Sequence, residues 1–171
     1  PEVLQAHARH PRTGEPMPDA LLRKLLAART FNQGFATVEY TASAIVDMTL
    51  HLSAGGELGL DVPAFEADAL QRIGMPAEIS MRHRTPHFAH IFSGDGYAAG
   101  YYSYLWSEVL DADAFDAFRE AGDIFDPETA KRLRTYVYGA GNLRDPRDAY
   151  TAFRGRMPSI APLLKKRGLA A

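Results

Sequence analysis

The chain has 171 residues, 46% of them hydrophobic, 11% aromatic and 23% charged, the profile of a soluble domain with one hydrophobic core. Nineteen basic against 21 acidic side chains give a formal charge of −2, leaving no positive excess to hold a phosphate backbone, so a nucleic-acid partner is not expected. The absence of cysteine excludes disulfide scaffolds, cysteine nucleophiles and thiolate metal sites.

No membrane partner is expected either: Asp47 and His51 interrupt the most apolar stretch, and no run approaches the roughly 18 to 20 residues of a span. Pro1 to His10 lack the basic-then-apolar layout of a signal peptide. A chain that opens on Pro1 rather than Met reads as trimmed or processed.

Glycine and proline divide the sequence into helix-length pieces, and nothing alternates like a half-buried strand, so the fold class is mainly α. Asp19 is a plausible N-cap for a helix that places Leu21, Leu22, Leu25 and Leu26 at helical spacing. Phe31, Phe35, Val38, Ala42, Ile45 and Leu52 recur at helical spacing and predict a long amphipathic helix, broken by Gly55, Gly56 and Gly59. A short helix follows from Pro63 to about Ile73, with Phe65, Leu70 and Ile73 inward, closed by Gly74 and Pro76. Met81 to His87 reads as a loop rich in histidine and arginine.

After the glycine-rich stretch Ser93 to Gly96, the pattern from Tyr97 to Glu120 is helical. Asp126-Pro127 and Asp145-Pro146 fit N-cap and first-turn positions, because proline's missing N–H costs nothing in a helix's first turn. Gly139 and Gly155 would end those two helices. Pro158 to Arg167 predicts a last short helix stopped at Gly168. From Glu108 to Glu128 there are eight acidic residues and one basic, whereas Leu143 to Ala171 holds seven basic and two acidic. These runs read as solvated faces with some mutual attraction, or as a basic tail that recognises an acidic group on a ligand.

On a helix advancing about 100° per residue, Tyr97, Tyr101, Tyr104 and Glu108 fall within an arc of roughly 60°. Tyr102, Leu105, Trp106 and Val109 form a different face, read as the core side, while Gly100, Ser103 and Ser107 make a small-residue strip. The three phenols are either an interface or core face or, with the glycine-rich loop before them, a surface that closes over a ligand. A metal site of His83, His87 and His90 is disfavoured by Pro86, which lies between them. The pattern Gly94, Gly96, Gly100 lacks the spacing of a dinucleotide fingerprint, and Ser93 and Ser103 lack a nucleophile-elbow context.

The run His87 to Phe115, HFAHIFSGDGYAAGYYSYLWSEVLDADAF, resembles the C-terminal signature of the thimet oligopeptidase and peptidyl-dipeptidase family of zinc metallopeptidases. HPRTGEPMP at His10 to Pro18, FNQGF at Phe31 to Phe35 and FRGRMPSIAPLLKKRGL at Phe153 to Leu169 extend the resemblance over nearly the whole chain. The ending looks most like bacterial peptidyl-dipeptidases (dipeptidyl carboxypeptidases), somewhat less like oligopeptidase A.

Members of that family carry zinc on a His-Glu-x-x-His helix and a later glutamate, and no His-Glu pair occurs in these 171 residues. The resemblance therefore implies that residues 1–171 are the helical C-terminal part of a zincin-like catalytic domain, with the zinc-binding part expected upstream of Pro1. Zinc is implied as cofactor of the full-length parent, while the fragment alone is expected to bind no metal and to be inactive.

By the same resemblance, Tyr101 and Tyr104 carry the catalytic, oxyanion-stabilising role, and His90, Tyr97 and the loop glycines Gly94 and Gly96 bind substrate. The step from His90 to Tyr97 is longer than the family's usual spacing, with the extra residue in the glycine-rich loop. Arg154, Arg156 and Arg82 are candidates to hold a substrate's C-terminal carboxylate. Short peptides are the implied substrates of a cytoplasmic enzyme, and a dimer through surface exposed by truncation is expected. An endo-acting oligopeptidase and a non-catalytic helical peptide-binding module are the alternatives.

Overall fold

The computed structural model describes residues 1–53 and 59–170. Among the described residues eight α-helices form, and the only extended pairing is an isolated antiparallel bridge between Arg9 and Pro16. They are α1 (Glu2–His7), α2 (Asp19–Ala28), α3 (Gln33–Leu52), α4 (Val62–Arg72), α5 (Ser103–Glu120), α6 (Pro127–Leu133), α7 (Pro146–Arg154) and α8 (Ala161–Lys166). Two 3₁₀ turns, Thr85–His87 and Ala89–Phe92, lie in the loop before α5, and α6 runs on into a π-helical turn at Arg134–Tyr138. No helix is long and apolar enough to cross a membrane among the described residues.

The aspartate-proline starts form as their chemistry requires. Asp126 accepts from the Thr129 N–H at 2.7 Å, and Asp145 from the Arg147 N–H at 2.8 Å, each followed by proline in the first turn. Asp61 caps α4 through the Ala64 N–H. Gly155 ends α7 at φ +79°, where a side chain would be strained, and Gly139 closes the π turn with its N–H 2.7 Å from the Arg134 oxygen.

Four local expectations fail. Asp19 lies inside α2, whose cap position is Pro18; its carboxylate instead accepts from the Gln5 side chain. The apolar stripe of α3 is buried only in its second half: Ala42, Ser43, Ala44, Val46 and Asp47 are inside, whereas Phe31, Phe35, Val38 and Leu52 are exposed. Phe31 precedes Asn32, which sits at φ +55° and sets the helix start one residue later. Ile73 follows the last turn of α4 and is exposed, while Phe65 and Leu70 pack inward against Val46, Ala69 and Met81. Gly55 and Gly56 lie outside the described residues; Gly59 has φ +114°.

α5 is the fourth correction. It begins at Ser103, not Tyr97, and the residues from Asp95 to Tyr102 form turns. Tyr102 and Trp106 are about half exposed, and the face of α5 that packs inward carries Val109, Ala112, Ala117 and Phe118. Val109 and Ala112 meet Leu163 of α8, with Leu105 beside them, while Ala117 meets Tyr150 and Phe153 of α7.

The acidic and basic runs pair with each other. Arg154 holds Glu120 through both terminal nitrogens at 2.7 and 2.6 Å and reaches Asp113 through Nε at 3.2 Å. Arg156 lies 2.7 Å from the same Asp113, Lys166 pairs with Asp111, and Arg167 with Glu108. This is the mutual attraction between the two runs, and it ties α7 and α8 to α5.

Candidate functional site

Asp47 of α3 is fully buried. An unpartnered carboxylate in that position would be costly, and its two oxygens take up backbone donors from the loop before α5. Oδ1 accepts from the Ala99 N–H at 3.1 Å and Oδ2 from the Tyr101 N–H at 2.9 Å, while His51, one turn along α3, places Nδ1 2.9 Å from Oδ1. Reaching both donors requires Ala99 to adopt φ +55°, a conformation rare outside glycine. Tyr97 and Tyr101 are therefore carried on a pinned turn, and only Tyr104 is on the helix.

The turn brings the phenols together by another route than a helical face. Tyr101 is buried, its ring 5.1 Å from that of Tyr40 and edge-on to Phe88, and its carbonyl accepts from the Tyr40 hydroxyl at 2.9 Å. His90, on the second 3₁₀ turn, is the hub. Its ring centroid lies 4.8 Å from Tyr97, 5.8 Å from Tyr101 and 5.7 Å from Tyr104. The Tyr104 hydroxyl, on a half-exposed side chain, shares a hydrogen bond with His90 Nε2 at 3.0 Å. Burial pushes the Tyr40 phenol up to about 12, helped by the neighbouring phenols and Glu108; burial also raises Tyr101, against the pull of Arg82. Both phenols stay protonated through neutral pH.

A cavity of about 570 Å³ opens at this cluster, lined among others by Tyr40, Arg82, His83, His90, Tyr101, Tyr104 and Glu108. A second concavity of about 410 Å³, beside α4, has Glu66 and Arg84 as its charged groups, and these are paired with each other. Glu66 also accepts from the Thr85 N–H and hydroxyl, which fixes the first 3₁₀ turn.

The expected site residues divide accordingly. His90, Tyr97, Tyr101 and Tyr104 converge, and Arg82 joins the cavity that His90, Tyr101 and Tyr104 line. Gly94 and Gly96 do not line it; a Cβ at either would meet open space. Arg154, 6% exposed, and Arg156 are engaged with Asp113 and Glu120 and are also absent from the cavity wall. Their fork geometry is already spent on carboxylates of the protein. In the sequence, Asp47 and His51 stand out only as interruptions of an apolar run, and Tyr40 carries no signal of a role. A charged residue inside a helical apolar stripe was the available signal, since such a group must find partners once buried. His83 stacks on Phe88 at 5.0 Å, and among the described residues no three His, Cys, Asp or Glu side chains are grouped to hold a metal ion.

The family model described as "Peptidase family M3" matches residues 1–169. The chain is similar to the "Dipeptidyl carboxypeptidase" of Escherichia coli K12, at 40% identity over 99% of this chain and 25% of the relative. It is 41% identical to a "Probable cytosolic oligopeptidase A" of Arabidopsis thaliana, over 99% of this chain and 24% of the relative. With the "Oligopeptidase A" of Escherichia coli K12 it shares 37% identity over 99% of this chain and 25% of the relative. The chain thus spans about a quarter of the length of these relatives.

Proposed function

The chain belongs to peptidase family M3, and from that premise we propose that it forms the substrate-binding and transition-state-stabilising wall of a peptidyl-dipeptidase that releases dipeptides from short peptides. The observation that carries this reading is the Tyr104 hydroxyl held 3.0 Å from His90 Nε2 at the mouth of the cavity. In the proposal zinc is the cofactor of the full-length parent. Among the described residues no three His, Cys, Asp or Glu side chains are grouped to hold a metal ion, so no step is routed through zinc.

What these residues can do is hold and orient. With the imidazole proton on Nε2, His90 donates to the phenol oxygen and leaves the Tyr104 O–H free to donate to an oxyanion forming on the scissile carbonyl. A phenol provides that hydrogen bond without losing its proton, and a donor preset for the oxyanion is worth roughly 3 kcal/mol of transition-state stabilisation. Tyr101 and Tyr97 flank His90 on two sides and fix its ring plane. Asp47 acts one step further back, by fixing the backbone from which Tyr101 projects.

Tyr104→Phe in the zinc-loaded full-length enzyme is expected to lower kcat about 100-fold with KM changed by less than about threefold. An unchanged kcat would remove the role given to this phenol. The isolated 171 residues should bind no stoichiometric zinc and cleave no peptide; zinc-dependent hydrolysis by them would show that the reacting centre lies elsewhere. A dimer of that fragment through its exposed apolar side chains, Phe31 and Leu143 among them, is part of the proposal, and sedimentation as a strict monomer would count against it. So is a cytoplasmic location, supported by the name of the Arabidopsis relative.

A second reading, endo-acting hydrolysis without regard to the substrate's end, is favoured by the oligopeptidase A relatives. The two differ in whether the site reads a terminal carboxylate.

A further inference from the structure

Among the described residues, the cavity beside His90 is lined by one arginine that forms no ion pair, Arg82. Arg84 is taken by the buried carboxylate of Glu66, Arg154 and Arg156 by Asp113 and Glu120, and Arg167 by Glu108. Arg82 has no carboxylate within ion-pairing distance among the described residues, although it stands in the same loop as Arg84 and lines the cavity with Tyr101 and Tyr104. Glu108, the acidic group of the same wall, is neutralised by Arg167 from the side of α8. Glu39 of α3 is also close enough to act on the Tyr101 phenol, yet it forms no ion pair with Arg82.

We propose that Arg82 is the specificity-determining residue of this site, its guanidinium receiving the C-terminal carboxylate of the peptide whose scissile carbonyl faces Tyr104. This rests on the peptidase reading above. A guanidinium presents two parallel N–H donors that match a carboxylate, which a lysine or a histidine does not. Two extended residues span about 7 Å, so a group that reads the terminus of a departing dipeptide must share a cavity with the group at the scissile bond, as Arg82 does with Tyr104. The positive charge of Arg82 is felt inside the aromatic cluster, where it opposes the upward shift of the Tyr101 phenol. An incoming carboxylate would meet that field with its full charge.

The test uses the zinc-loaded full-length enzyme, one quenched fluorescent peptide with a free C-terminus, its C-terminal amide, and the variants Arg82→Gln and Arg82→Lys. The wild type should cleave the free acid with a kcat/KM at least about tenfold above the amide. Arg82→Gln should lose about 30-fold or more on the acid, mainly in KM, and change little on the amide, with Arg82→Lys in between. A wild type that cleaves acid and amide equally would overturn the exo reading and this proposal together. A wild type that discriminates, with Arg82→Gln discriminating equally well, would overturn Arg82 alone and leave the exo reading standing. If Arg82→Gln is impaired on both substrates, Arg82→Lys decides: recovery on the acid supports the assignment, and equal loss on both overturns it.

Discussion

Asp47 and Asp113 are both fully buried aspartates, and each organises one end of the molecule, but they do so with opposite kinds of partner. Asp47 is met by two backbone N–H groups and a histidine. Asp113 is met by two guanidinium groups and the Tyr150 hydroxyl, which donates at 2.7 Å. The first arrangement shapes a loop: it forces Ala99 to φ +55° and sets where Tyr101 emerges. The second clamps helices, binding α7 to α5 through ion pairs of Asp113 with Arg154 and Arg156. The candidate site gathers at the first, where the phenols of Tyr40 and Tyr104 and the His90 imidazole bond to one another or to backbone and Arg82 forms no ion pair among the described residues. At the second, every strong group is used up in holding the fold.

This contrast can be broken by removing each carboxylate. Asp113→Ala takes the buried carboxylate from both Arg154 and Arg156 and leaves Arg154 only the exposed Glu120, and a loss of about 3 kcal/mol is expected, read as a large fall in thermal midpoint or a failure to fold. Asp47→Ala should cost about 1 to 3 kcal/mol, with its signature in the loop. The Ala99 and Tyr101 amides should lose hydrogen-exchange protection, and kcat of the full-length enzyme should fall along with it. Equal protection in the variant would show that the turn holds without its aspartate.

Tyr150→Phe removes one of three partners of Asp113 and should cost about 1 kcal/mol. Burial and donation to Asp113 both raise the Tyr150 phenol, so its hydroxyl stays a donor through neutral pH. The smallest effect belongs to Glu120. Its hydrogen bond with Arg154 holds its carboxyl below the usual value, so the stability it contributes is present above the unfolded-state pKa and is lost as pH falls through the lower folded-state value. Glu120→Gln should lower neutral stability only slightly, because the carboxylate is largely exposed, and flatten the acid arm of a stability-against-pH curve by the same small amount. A clear loss at neutral pH would mean that the exposed half of the clamp carries more than its geometry suggests.

Legibility in the sequence followed the range of the interaction. Asp126-Pro127 and Asp145-Pro146 were readable because cap, proline and acceptor all lie within a few residues. The resemblance from His87 to Phe115 pointed to His90 and the tyrosines, and the structure does gather them. The single helix expected from Tyr97 was wrong because the decisive group, Asp47, is 54 residues before Tyr101, and no local period contains it. Tyr102 and Trp106 looked like core for a related reason: their spacing is helical, but which face of α5 packs is decided by Leu163, Tyr150 and Phe153, much later in the chain. Arg154 and Arg156 were indistinguishable from Arg82 as free cations until their carboxylate partners were in view.

The contacts of Arg167 bear on the order in which this fold is made. Its guanidinium donates to the Thr37 hydroxyl of α3 at 2.8 Å, a bond between residues 130 apart, and pairs with Glu108 of α5 on the way. Contacts of such long sequence separation form late and slowly, since the intervening loop must close first. During synthesis, α3 and α5 emerge from the ribosome well before α8, so the wall bearing Tyr40, Tyr101 and Tyr104 waits for its final strap. A nascent chain paused before Arg167 would therefore hold the phenols near one another while Glu108 still carried its charge unopposed.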